Sequence, residues 1–146
     1  MNNMMELRFL AVAENEALAR MVISAFLVKA NPALSLISEV RTAVSEAVTN
    51  VIVHAYAREE GGFVILRAVL HSDRIEISIE DQGCGIEDIE RAMKPFYTSK
   101  PEQERTGMGF SLMQSFMDGV HVKSAPGEGT QVTMTKLLGC DDLDAM

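Results

Sequence analysis

Apolar positions recur at helical spacing twice in the first third of the chain and then switch to alternation. Over residues 14–29, Leu18, Met21, Val22, Ala25 and Phe26 fall at helical intervals, and Asn31-Pro32 closes the segment. A longer helical pattern over 33–56 carries Leu36, Ile37, Val40, Val44, Ala47, Val48, Val51, Ile52 and Ala55 inward. Glu59-Glu60-Gly61-Gly62 then breaks it. Residues 5–12, ahead of both, alternate loosely and read as a first or edge strand. Residues 63–70 and 75–79 are β-branched and alternating, joined by His71-Ser72-Asp73, which predicts a hairpin. A short helix is expected over 86–93 and another over 109–118. Strands are expected over 120–123 and 131–137, around a Pro126-Gly127-Glu128-Gly129 turn. Residues 94–106 hold two prolines, several charges and no periodicity, which suits either a surface loop or a mobile lid. Residues 140–146 are expected to fray.

The order β-α-α-β-β-α-lid-α-β-β predicts an α+β, two-layer α/β sandwich, with helices on one face of a mostly antiparallel sheet. At 146 residues the chain fits one domain over 1–146. Hydrophobic content of 47% with 23% charged residues is the balance of a globular chain. Its apolar runs are too short to span a bilayer, and no basic leader opens it, so a cytoplasmic location is expected. The net charge is −8 with no cluster of Lys and Arg, which disfavours direct binding of nucleic acid. Cys84 and Cys140 lie far apart without metal-ligand spacing and read as reduced thiols.

Three short motifs carry candidate chemistry. Glu46, Asn50 and His54 follow one another at i, i+4 and i+8, so each step turns only ~40° and the three form one slanting stripe. That stripe borders the apolar face of Ala47, Val51 and Ala55. Asn50 offers a hard amide oxygen suited to Mg²⁺, and Glu46 a carboxylate able to accept a proton from, or orient, an attacking hydroxyl. The same spacing also suits a solvated helix edge. Asp81-Gln82-Gly83-Cys84-Gly85 follows a strand. There a carboxylate can accept from an adenine amino group while glycines let the backbone pass beneath the base, although a plain turn uses the same residues. Arg105-Thr106-Gly107-Met108-Gly109 precedes a helical run and resembles a phosphate cradle, with Arg105 placed to reach a terminal phosphate. It lacks the ending of a Walker loop and opens no βαβ unit, and a helix-entry turn would read alike.

In combination these residues resemble the GHKL superfamily of ATP-binding folds. Glu46 to Asn50 matches its N box, Asp81 to Gly85 and Arg105 to Gly109 its two glycine boxes, and Gly127 to Thr130 a terminal Gly-Thr box. Within it, the run from Glu46 to Tyr56 resembles the anti-sigma-factor serine kinases of spore-forming bacteria. Pro95 to Lys100 and Gly107 to Met113 sharpen the likeness toward its sporulation branch. Phe110-Ser111 departs from the more usual Leu-Gly, a change expected to affect packing.

The resemblance implies a Bergerat ATP-binding fold and a protein serine/threonine kinase that uses ATP and Mg²⁺. It implies a protein that binds and inhibits a sporulation sigma factor and phosphorylates a serine of an anti-anti-sigma protein, and that pairs as a homodimer through its outer strand and first helix. Carried over by position, Glu46 and Arg105 take catalytic roles and Asn50 ligates the metal. Asp81 reads adenine, with Gly83, Gly85, Ile86 and Thr130 at that end of the pocket. Thr98, Ser99 and Lys100 belong to a lid. Thr106, Gly107, Met108, Gly109 and Phe110 hold the phosphates, and His54 is placed to reach one. Two other readings stand beside it: a non-catalytic sigma-binding module switched by nucleotide, and a histidine-kinase-type catalytic domain. Against the second, only ~45 residues precede the N box, too few for a phosphoacceptor hairpin plus sheet elements.

Overall fold

The computed structural model describes residues 1–56, 61–86 and 109–139. Strand β1 (Asn3–Leu10) leads into helices α1 (Glu14–Val28) and α2 (Leu34–Asn50), the latter continued by a π-helical turn over Val51–Ala55. Strands β2 (Phe63–Leu70) and β3 (Arg74–Asp81), helix α3 (Gly109–Phe116), and strands β4 (Gly119–Ser124) and β5 (Thr130–Leu137) follow. The five strands form one antiparallel sheet in the order β1-β2-β3-β5-β4. This is the α+β sandwich expected from the alternation.

Local chemistry explains the boundaries. Asn31 adopts φ 54°, a left-handed conformation that asparagine tolerates better than most side chains. Together with Pro32 it turns the chain out of α1 and into α2. In β2 and β3 alternate residues are buried, and Ile75, Ile77 and Ile79 fill one face of β3. Each such side chain contributes ~1.5–3 kcal/mol by leaving water. They share one core with Val40, Val44, Ala47 and Val48 of α2, Met113 of α3 and Met117 just past its end.

Two features depart from the sequence pattern. Of the helical stripe noted in α1, only Phe26 is buried. The inward residues are Ala19, Ile23, Phe26 and Leu27, while Leu18 (39% exposed), Met21 (70%) and Val28 (59%) face outward. Helix α1 is apolar on two sides, and the side it buries includes the small Ala19, as the buried side of α2 includes Ala43 and Ala47. The second departure is the end of α2, which does not continue as α-helix to Tyr56 but widens into a π turn. Such turns are rare and recur at functional sites.

Lys136 ties the layers together. Its Nζ donates to the Phe116 carbonyl oxygen at 2.5 Å, where α3 ends, and lies 3.0 Å from Glu39 Oε1 on α2. A cation at a helix C-terminus meets both an orphan carbonyl and the negative end of the dipole. Across α1 and α2, Ser45 donates to Glu16 Oε2, which also contacts Arg20.

Residues 57–60, 87–108 and 140–146 lie outside the described residues. With them lie all but Ile86 of the helix expected over 86–93, the loop or lid expected over 94–106, and the end expected to fray. Among the described residues, no helix is long and apolar enough to cross a membrane.

Candidate functional site

The last carbonyls of a helix lack intrahelical partners, and here the Asp81–Gly85 loop supplies them. The Cys84 amide donates to the Ala55 carbonyl oxygen at 2.7 Å, and Cys84 Sγ lies 3.4 Å from that of His54. The fit leaves no space for a side chain at Gly83, where a Cβ would stand 2.1 Å from the Ala55 carbonyl oxygen. Tyr56, just past the π turn, completes the join. Its hydroxyl accepts from the Gln82 amide at 2.9 Å and donates to the Phe63 carbonyl oxygen at 2.6 Å. The stripe-bearing helix and the glycine loop are therefore one unit.

Asp81 ends β3 on the helix-covered face and is 4% exposed, the one buried charged side chain among the described residues. Burial raises its carboxyl above the ordinary 3.8, against the backbone amides of Gly83 (2.8 Å) and Thr130, which favour the ionised form; Glu80 adds a smaller upward push. In register, Phe9, Val64, Asp81, Thr130 and Ser124 form a single cross-strand row over all five strands. Its first two members are apolar and its last three polar.

The turn between β4 and β5 closes against the same loop. Gly127 N donates to the Cys84 carbonyl oxygen at 2.6 Å. Gly85 (φ 78°) lies so close to the turn that a Cβ would stand 2.0 Å from the Ala125 carbonyl oxygen. Ser124 Oγ accepts from the Ile86 amide at 2.9 Å, donates to the Gly129 carbonyl oxygen at 2.8 Å, and lies 2.8 Å from Thr130 Oγ1.

At the other end, α3 begins beside α2. A Cβ on Gly109 would stand 3.1 Å from Asn50 Nδ2. Asn50 and Glu46, one turn earlier, are half-buried, as is His54. Because a π turn holds more residues than the 3.6 of an α turn, His54 is rotated back from the position that an unbroken stripe would give it.

The fold thus joins Asp81, Gly83, Gly85, Ile86 and Thr130 in one cluster and sets Gly109 against Asn50. The Phe110 side chain packs on the core, and Ile86 is not in a helix. Thr98, Ser99, Lys100, Arg105, Thr106, Gly107 and Met108 lie outside the described residues. Sequence reasoning missed Ser124 and the bridging role of Tyr56. Both act through tertiary hydrogen bonds that no local motif signals, although Ser124 lies only three residues before the Gly127–Thr130 motif.

The arrangement fits a nucleotide with its metal. Close backbone approach at Gly109 leaves a cradle that a Cβ would fill, next to a neutral amide. Among the described residues, no group of three or more His, Cys, Asp or Glu could enclose a metal alone. A single amide oxygen is the donor set of a Mg²⁺ that takes its other ligands from water and phosphate.

Comparison with known proteins bears on the family and the fold. The sequence matches the histidine kinase-like ATPase domain over residues 9–136. It is 50% identical over 138 residues to the anti-sigma F factor of Caldanaerobacter subterraneus subsp. tengcongensis, covering 94% of this chain and 96% of that protein. It is 51% identical to the anti-sigma F factor of Oceanobacillus iheyensis, covering 94% of each. Among solved structures, the RsbU and RsbW domains of a Mycobacterium tuberculosis protein superpose with a TM-score of 0.68 at 19% identity, over 93% of this chain and 33% of that longer one. The catalytic domain of the histidine kinase ThkA gives 0.58 at 16% identity, over 92% and 96%.

Proposed function

The chain belongs to the family of histidine kinase-like ATPase domains, and from that premise we propose that it is a single-domain anti-sigma factor and protein serine kinase. It binds and inhibits a sporulation sigma factor, and it transfers phosphate from ATP to a serine of an anti-anti-sigma protein. The relatives named anti-sigma F factor, matched along nearly their whole length, support the sigma partner.

The observation that carries the nucleotide reading is Asp81. Two backbone amides occupy part of a carboxylate that has about four lone-pair sites. The remaining capacity sits in a buried, glycine-walled setting suited to an adenine amino group. Asn50 and Gly109 mark the phosphate end, where Asn50 would hold Mg²⁺; the ion, when bound, neutralises phosphate charge. Glu46 orients the incoming serine hydroxyl or takes its proton. Arg105, Thr106, Gly107, Met108 and Phe110 contact the phosphates, and Thr98, Ser99 and Lys100 belong to the lid. The homodimer pairs through β1, which is a sheet edge, and α1, whose exposed Leu18, Met21 and Val28 form an outward apolar side.

The test is incubation with labelled ATP and the candidate anti-anti-sigma protein, followed by mapping of the labelled residue. Acid-stable phosphoserine is the expected product. Acid-labile phosphohistidine would favour the histidine-kinase reading, and nucleotide binding without transfer the switched binding module.

A further inference from the structure

Ser124 belongs to none of the motifs that define the nucleotide site, yet three hydrogen bonds converge on its hydroxyl. A serine hydroxyl has one proton and two lone pairs. The Ile86 amide takes one lone pair. If the Ser124 proton goes to the Gly129 carbonyl oxygen, the contact with Thr130 can form only with Thr130 donating into the second lone pair. That arrangement satisfies all three contacts. The alternative, in which Ser124 donates to Thr130, satisfies two and strands the buried Gly129 carbonyl.

The favoured arrangement has a consequence for Thr130. With its proton committed to Ser124, Thr130 Oγ1 offers lone pairs only. Asp81, its register partner on the same face, is also an acceptor. The two together suit a 6-amino group, which donates, and repel a 6-oxo group, which presents lone pairs of its own.

We propose that Ser124 is a specificity-determining residue of the nucleotide site, fixing the direction of the Thr130 hydroxyl so that the pocket accepts a 6-aminopurine and rejects a 6-oxopurine. This rests on the nucleotide reading above. Removal of the Ser124 hydroxyl frees Thr130 to rotate and donate to an oxo group. A purely structural role for Ser124 would instead weaken all purine nucleotides alike.

The probes are ATP and inosine triphosphate, which differ at the 6-position while both lack the 2-amino group of guanine. Their affinities are measured by calorimetry for the wild type, Ser124→Ala and Ser124→Thr, with sheet content checked by circular dichroism. Ser124→Ala is expected to narrow the ATP preference about tenfold, the scale of one hydrogen bond, and Ser124→Thr to keep it. If Ser124→Ala does not fold, Thr130→Val, which removes the oriented hydroxyl, is expected to narrow the preference likewise. An unchanged ratio in the folded variant, with both affinities falling together, overturns this inference and leaves the nucleotide site standing. A wild type that binds neither nucleotide overturns both.

Discussion

Gly109 presses on Asn50 so closely that a Cβ there would stand 3.1 Å from Nδ2 and 3.2 Å from Oδ1 of the amide. An asparagine side chain can yield by a few tenths of an ångström, so Gly109→Ala should fold with little change in thermal midpoint. The displaced amide no longer presents its oxygen where metal and phosphate require it. Affinity for Mg-ATP is expected to fall about tenfold, the scale of one charge-assisted contact. Calorimetric titration checks it, and an unaltered affinity would remove Asn50 from the site.

Gly127 and Gly129 share φ 78° but not their surroundings. A Cβ at Gly127 meets nothing within 4 Å, whereas one at Gly129 would stand 2.2 Å from the Asp81 carbonyl oxygen. Gly127→Ala should therefore cost only the left-handed penalty of about 1–2 kcal/mol. Gly129→Ala adds a backbone collision that separates β5 from β3 at the site, and about 4 kcal/mol or more is expected. Urea denaturation of the two variants compares them directly, and equal losses would contradict the apposition.

The strands and the hairpin were legible because alternation reports a half-buried sheet face directly, as in Ile75, Ile77 and Ile79. The buried side of α1 was not. Leu18, Met21 and Val28 are as hydrophobic as Ile23 and Leu27, and periodicity alone cannot rank two apolar faces of one helix. The small residues decide: Ala19 is fully buried, which a scale weighted to large side chains overlooks. At the site, Asp81 and the glycines were readable because they stand together in one short motif, although the carbonyls that leave no room for a side chain at Gly83 and Gly85 belong to Ala55 and Ala125 in other segments. Ser124 and Tyr56 were not, since their partners lie 38 and 26 residues away in sequence and meet them only through strand register and the π turn.

Asp81 gives a pH signature. Its folded carboxyl, raised by burial, holds a proton more tightly than the unfolded chain does. Its contribution to stability is thus most favourable at low pH and declines as pH rises from the ordinary 3.8 through the folded value. Asparagine cannot ionise. Asp81→Asn should gain on the wild type across that window and hold a constant difference above it, while losing ATP affinity. Denaturant melts of the nucleotide-free proteins from acidic to neutral pH would show it. A difference independent of pH would mean that the carboxyl is not perturbed.

Glu46 separates binding from chemistry. It lies one turn before Asn50 on α2 and is half-buried. Glutamine preserves its size and its hydrogen-bonding reach but cannot accept a proton as a carboxylate does. Because positioned acid-base groups contribute about 10²–10⁴-fold, Glu46→Gln should slow phosphotransfer to serine by that order. Mg-ATP affinity should stay close to that of the wild type, since the lost interaction belongs to the transition state. Single-turnover transfer with saturating ATP, set beside equilibrium titration, resolves the two. A parallel fall in both would make Glu46 a binding residue, and an unchanged rate would leave the hydroxyl to be oriented by another group.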